Sequence, residues 1–199
     1  MTARIHHADL WGSRQAKYDW LNNHDAAETD WIQVAPEKPF YLFVPQDTAL
    51  LAEFQAGWKV SEIMPVNSVG IVTARDALTV HDSPESAWRT VNDFVSLPPE
   101  TARENYHLGK DARDWQVQLA QADLRNSGPD KAKVVPVLYR PFDTRFTYYT
   151  GTSRGFLCMP RPEVMRHMLA GDNLGLICTR QTREKWDVHT TRAICGHKA

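Results

Sequence analysis

The chain has 199 residues, 42% hydrophobic and 24% charged, with a formal net charge of −1. That balance suits one domain or two small ones with a sizeable core, and excludes wholesale disorder and a uniformly basic nucleic-acid binder. No apolar run approaches the roughly 20 residues that span a bilayer, and the opening MTARIHHADLWG has no basic segment followed by an apolar one. Cys158, Cys178 and Cys195 include no CxxC pair, which argues against a disulfide framework and for a cytoplasmic protein with no membrane contact.

Trp31 to Val44 carries apolar residues at Trp31, Ile32, Val34, Phe40, Leu42 and Val44, interrupted by Pro36 and Pro39. This predicts two strands or an edge strand. Asp47 or Thr48 can cap a short helix over 49–56, with Gly57 as its stop. Residues 70–81 are β-branched at Ile71, Val72, Thr73, Thr79 and Val80, which predicts a hairpin with Arg75 at its tip. Ser83-Pro84-Glu85 is a helix start. Trp88, Val91, Phe94 and Val95 follow at helical spacing, and Leu97-Pro98-Pro99 ends the run.

A second helix is expected over 100–106. A third has Ala112, Trp115, Leu119 and Ala122 on one face and stops near Asn126-Ser127-Gly128. Val134 to Tyr149 reads as two strands around Arg140-Pro141-Phe142-Asp143, where Arg140 and Asp143 are expected to make a structural ion pair or turn contact. Pro162 opens a helix carrying Val164, Met165, Met168 and Leu169, stopped by Gly171. Leu174 to Thr179 reads as a buried strand, and Trp186 to Ile194 has strand character. Strands on both sides of a helical cluster between Ser83 and Leu124, without strict βαβ alternation, predict an α+β fold with mixed or antiparallel sheet parts.

The charge is uneven. Residues 1–133 sum to −6 and residues 134–199 to +5, with eight arginines in the second stretch: Arg140, Arg145, Arg154, Arg161, Arg166, Arg180, Arg183 and Arg192. Arginine suits phosphate oxygens and the O6/N7 edge of guanine, because its fork donates two parallel hydrogen bonds. Tyr139, Phe142, Phe146, Tyr148, Tyr149 and Phe156 are interleaved. A solvated arginine face over an aromatic core has the same composition. The polar turn at 126–133 coincides with the charge change and marks a subdomain boundary.

Walker, GxGxxG and HExxH motifs do not occur. Cys195-x-His197 is the one close Cys/His pair and lacks a partner pair at zinc spacing. No catalytic and no metal residues are therefore assigned.

Val137-Leu-Tyr-Arg-Pro-Phe-Asp-Thr-Arg-Phe-Thr-Tyr-Tyr-Thr-Gly151 resembles the region following the methyltransferase domain in type ISP restriction-modification enzymes. These are single-chain enzymes with nuclease, helicase-like ATPase, adenine methyltransferase and target-recognition parts. Ile5-His-His-Ala-Asp-Leu-Trp-Gly12, Tyr41-Leu-Phe-Val-Pro-Gln-Asp47, Leu108-Gly-Lys-Asp-Ala-Arg-Asp-Trp115, Thr179-Arg-Gln-Thr182 and Ile194-Cys-Gly-His-Lys198 are similar to further blocks of the family. The family's S-adenosylmethionine loop, its Asn/Asp-Pro-Pro-aromatic tetrapeptide and its helicase and nuclease parts are not in this sequence. The family also continues past Lys198. The resemblance thus implies a piece of such an enzyme: a gene fragment, a split subunit or a shortened chain.

From the resemblance and the charge map together, residues 1–30 are expected to form an exit from a methyltransferase-like part. Residues 31–128 would be a scaffold subdomain, and 129–199 a basic, β-rich subdomain facing DNA. Arg145, Arg154, Arg180 and Arg183 are expected to contact double-stranded DNA, with Arg161 and Lys185 next and Arg75, at the expected hairpin tip, after them. The expected partners are that DNA and the methyltransferase domain, in cis or as a split subunit. The chain itself would hold no cofactor, S-adenosylmethionine, ATP and magnesium belonging to the full enzyme. Two other readings stay open, a segment that couples domains and a small independent hydrolase or nuclease.

Overall fold

The computed structural model describes residues 3–38, 40–179 and 185–199, which fall into two compact units, 1–59 and 60–199. In the first unit, β1 (Ile5–His7) pairs antiparallel with β2 (Ile32–Val34), Ile5 opposite Val34. Between them lies α1 (Arg14–Asn23), where Ser13 Oγ accepts from the Ala16 amide at 3.2 Å. The ring of Trp20 stacks on His24 at 4.4 Å. α2 (Leu51–Ala56) follows; its first turn has no side-chain cap, and Asp47 instead accepts from the Ala49 amide one turn earlier. Gly57 stops it as expected. The extended stretch expected over 31–44 shrinks to the three residues of β2. No described residue of this unit is buried, so strand propensity there has no second layer to pack on.

The second unit begins with α3 (Val60–Ile63) and α4 (Asp76–Thr79). The hairpin expected over 70–81 is not there. Ile71 and Val72 instead bridge Gly196 and Met159, and His81 bridges Phe146, so this stretch lies between distant strands. Next come α5 (Pro84–Ser96), α6 (Pro99–Asn105) and α7 (Val117–Ser127). A 3₁₀ turn at Lys131–Lys133 leads into β3 (Val134–Arg140) and β4 (Asp143–Tyr148). The polar turn at 126–133 lies within this unit, where the Tyr148 hydroxyl donates to Gly128 O and accepts from the Asp130 amide. α8 (Pro162–Leu169), β5 (Gly175–Cys178), β6 (Val188–Thr191) and β7 (Ile194–Cys195) complete the unit.

β3 and β4 form an antiparallel hairpin, and β7 lies parallel on the other side of β3. β5 and β6 form a separate antiparallel pair. The expected buried strand at 174–179 is thus present but alternates half-buried and exposed, and among the described residues only β6 pairs with it. Helices and small sheets together make an α+β fold.

The core packs α5 on the β3–β4 hairpin, with α7 against α5 and α6. Phe94 meets Phe156 at 6.3 Å and Tyr106 at 5.8 Å, edge-on to the latter, and Tyr148 meets Phe156 edge-on at 6.2 Å. Gln121 on α7 is fully buried and donates to Phe94 O and Leu97 O, satisfying carbonyls that the end of α5 leaves free. The buried face of α7 is Val117, Ala120, Gln121, Asp123 and Leu124, whereas Leu119 is 39% exposed. The expected face is rotated because the helix starts at Val117. Trp115 is buried from the preceding segment, donating to Phe156 O at 3.2 Å.

Among the described residues, no helix is long and apolar enough to cross a membrane, and no three His, Cys, Asp or Glu side chains are grouped to hold a metal.

Candidate nucleic-acid interface

The loop after β4 is fixed by one buried carboxylate. Asp123 Oδ2 accepts from the Phe156 amide at 2.8 Å and from the Thr150 hydroxyl at 2.7 Å. Gly155 passes so close that a Cβ there would lie 2.2 Å from Asp123 Oδ2. This close approach presents the neighbouring Arg154, which is exposed and in left-handed conformation at φ +59°. Its amide donates to Cys158 O and its guanidinium to Arg113 O, both at 2.9 Å.

Arg161 is the second left-handed arginine, at φ +53°, and it caps α8 through its backbone carbonyl. Its guanidinium reaches Met159 Sδ at 3.3 Å, while its Nε is shielded from solvent without a hydrogen-bond partner. Arg113, Arg154 and Arg161 line one open cleft of about 410 Å³, with Asp114 and Glu163 as its carboxylates and Cys158 among its lining residues. Three arginines outweigh two carboxylates, so the cleft favours anions. Burial pushes the Cys158 thiol up, aided by Asp114, whose carbonyl accepts from it at 3.4 Å. The thiol stays protonated at neutral pH and is a poor nucleophile.

Other arginines are committed elsewhere. Arg145 bonds Asp143 at 2.7 Å and also pairs with Asp82. The expected Arg140–Asp143 pair is therefore replaced by Arg145–Asp143, and Arg140 lies over the Tyr139 ring at 4.0 Å. The register explains the exchange, since Arg145 sits two residues after Asp143 on the same face of β4. The Tyr139 hydroxyl donates to Asp76 at 2.7 Å. Burial pushes the Asp76 carboxyl up, but hydrogen bonds from Thr73 and Tyr139 and the charges of Lys198 and Arg140 outweigh it and hold the group below its ordinary value.

Arg75 occupies no hairpin tip. Its guanidinium donates to Leu108 O and Lys110 O and lies 4.9 Å from the Trp115 ring centre, pinning the α6–α7 connection. Lys185 is exposed. Arg180 and Arg183 lie outside the described residues.

Of the arginines singled out from sequence, the cleft brings together Arg154 and Arg161; its third, Arg113, sits in the net-acidic part of the chain and was not singled out. Sequence reasoning also gave no role to Phe142. That residue occupies the β3–β4 turn at φ +62° and is 91% exposed.

An α+β unit with a braced loop and an arginine-lined cleft has the features of a recognition module. The chain belongs to the family of type ISP C-terminal specificity domains, which it matches over residues 62–199. Among solved structures it is similar to a cryo-EM structure of a DrdV–DNA complex, at 17% identity with a TM-score of 0.53. The alignment covers 92% of this chain and 20% of that one, so the chain spans about a fifth of the length of the protein it matches. At that identity the likeness describes the fold. No curated protein matches the chain.

Proposed function

We propose that this chain recognises a double-stranded DNA target as the specificity domain of a type ISP restriction-modification enzyme, and that methylation and cleavage are carried out by other parts of that enzyme. The observation that carries this reading is the arginine cleft within the residues that match the specificity-domain family. Arg113, Arg154 and Arg161 would contact phosphates, which supply affinity and register, while base edges supply sequence discrimination. Arg180, Arg183 and Lys185 are further candidates for DNA contact. Arg145 and Arg75 are weaker ones, because carboxylates and carbonyls already hold them. The DrdV–DNA complex is consistent with this reading. S-adenosylmethionine, ATP and magnesium would act elsewhere in the full enzyme.

A second role is favoured by residues 3–59. None of their described residues is buried, and Trp11, Phe54 and Trp58 are 82, 82 and 87% exposed. Exposed apolar surface on that scale marks a protein contact. We infer that this unit packs on the methyltransferase domain of the same enzyme, in cis or as a split subunit.

The test is binding of a labelled 30-base-pair duplex to the 199-residue chain at 50 and 200 mM salt. The expected affinity at physiological salt lies in the non-specific range of about 10⁻⁴–10⁻⁶ M, falling steeply with salt. The triple substitution of Arg113, Arg154 and Arg161 to Ala should flatten the log–log salt slope by about 0.9 for each phosphate that is no longer neutralised. Equal slopes for the two proteins would overturn the role of the cleft. Absence of any salt-dependent binding would leave domain coupling as the function.

A further inference from the structure

The turn joining β3 and β4 has Pro141 at its second position and Phe142 at its third, with φ +62°. Proline followed by a positive φ marks a type II turn, whose third position suits glycine or asparagine. A phenylalanine there is strained and gains no burial, since its ring is 91% exposed. Among the described residues, its ring meets that of His189 on β6, edge-on at 5.6 Å. The base of the turn, by contrast, is braced. Asp143 is tied to Arg145, Arg145 to Asp82, and Arg140 lies over Tyr139, which is itself bonded to Asp76. The result is a rigid stalk with a bare aromatic tip.

The surroundings discriminate between partners. A protein-docking face presents several apolar side chains, and residues 3–59 expose many, among them Trp11, Phe54 and Trp58. Along the chain Phe142 is flanked by Arg140, Pro141, Asp143 and exposed Thr144, and the ring it meets belongs to His189. One apolar ring in a polar setting fits a single flat π-surface. Apolar side chains inserted at a base step and aromatic rings stacked on a base are two established ways in which proteins use such a tip.

Resting on the DNA-recognition reading above, we propose that Phe142 is a wedge that stacks on a nucleobase of the bound duplex, with His189 holding the ring on edge. It would act as a positioning and discriminating residue, reading how readily a base step opens.

The experiment compares two 30-base-pair duplexes of equal charge, one fully paired and one with a central abasic site, where unstacking costs less. The 199-residue chain should prefer the abasic duplex by about tenfold, within the range that base–aromatic stacking supplies. Phe142→Gly and Phe142→Asn should abolish that preference and leave the salt slope unchanged, whereas Phe142→Trp should retain it. Gly and Asn suit the positive φ, so both variants should melt no lower than wild type, which separates loss of the wedge from loss of the fold. Equal preference in wild type and Phe142→Gly, with binding still weakened by Arg154→Ala, would overturn the wedge and leave the DNA reading standing. Failure of the wild type to bind either duplex would overturn both.

Discussion

A methyl group at position 155 has nowhere to go. Gly155 leaves its Cβ position 2.2 Å from Asp123 Oδ2 and 2.9 Å from Asp123 Cβ, both on a side chain locked by two hydrogen bonds. Gly155→Ala should therefore cost about 1–3 kcal/mol by overpacking, and it should weaken DNA binding by displacing the adjacent Arg154. Asp123→Ala should cost a similar amount by leaving the buried Phe156 amide unpaired, about 1–3 kcal/mol. Because the two residues touch, the double variant should be less destabilised than the two single effects added together. Urea denaturation of the three proteins checks this, and full additivity would contradict it.

His81 makes a second residue-scale case. Burial lowers its pKa despite the opposing Leu78 carbonyl and Asp82 charge. A histidine held neutral in the fold takes up a proton more readily when unfolded, so stability should fall as pH drops below about 6.5. The slope of the urea midpoint between pH 7 and 5.5 should shrink in His81→Gln. An unchanged slope would place the acid sensitivity elsewhere.

At the scale of elements, local chemistry was legible and long-range pairing was not. α5 runs over Pro84–Ser96, as Ser83-Pro84-Glu85 and Leu97-Pro98-Pro99 predict, with Ser83 Oγ accepting from the Ser86 amide at 3.1 Å. Ser83→Ala should cost about 1 kcal/mol, seen as a lower denaturation midpoint with an unchanged m-value. The β3–β4 hairpin was read from the turn at Arg140-Pro141-Phe142-Asp143, and β3 and β4 pair around it. Residues 70–81 misled because β-branched side chains record that a segment is extended, not what it pairs with. Ile71 finds Gly196, 125 positions later, and no local signal carries that. The site divides in the same way. Arg154 and Arg161 lie in the arginine-rich stretch, whereas Arg113 joins them only through the fold, and the Arg145 pairing depends on its spacing from Asp143 along β4 and on Asp82 from the bend before α5.

At the scale of the whole molecule, the two units differ in what can hold them together. Among the described residues, the buried aromatic and aliphatic side chains all lie in residues 60–199, including Trp115, Tyr148, Phe94, Phe156 and Leu124. Residues 3–59 have a two-stranded sheet of three residues per strand, two short helices and no buried side chain among those described. A lone pair of strands is marginal in water, and short isolated helices are marginal too. The first unit should thus add little to the stability of the second. Its amides should exchange hydrogen orders of magnitude faster than those of α5 and α7, which should open only with global unfolding. Hydrogen exchange on the 199-residue chain, read peptide by peptide, tests this directly. Adding the methyltransferase domain should slow exchange in residues 3–59 without changing α5 or α7, because a partner that covers Trp11, Phe54 and Trp58 supplies the burial this unit lacks. Slow exchange in residues 3–59 without any partner would show that the unit is stable alone, and would remove the physical ground for assigning it a docking role.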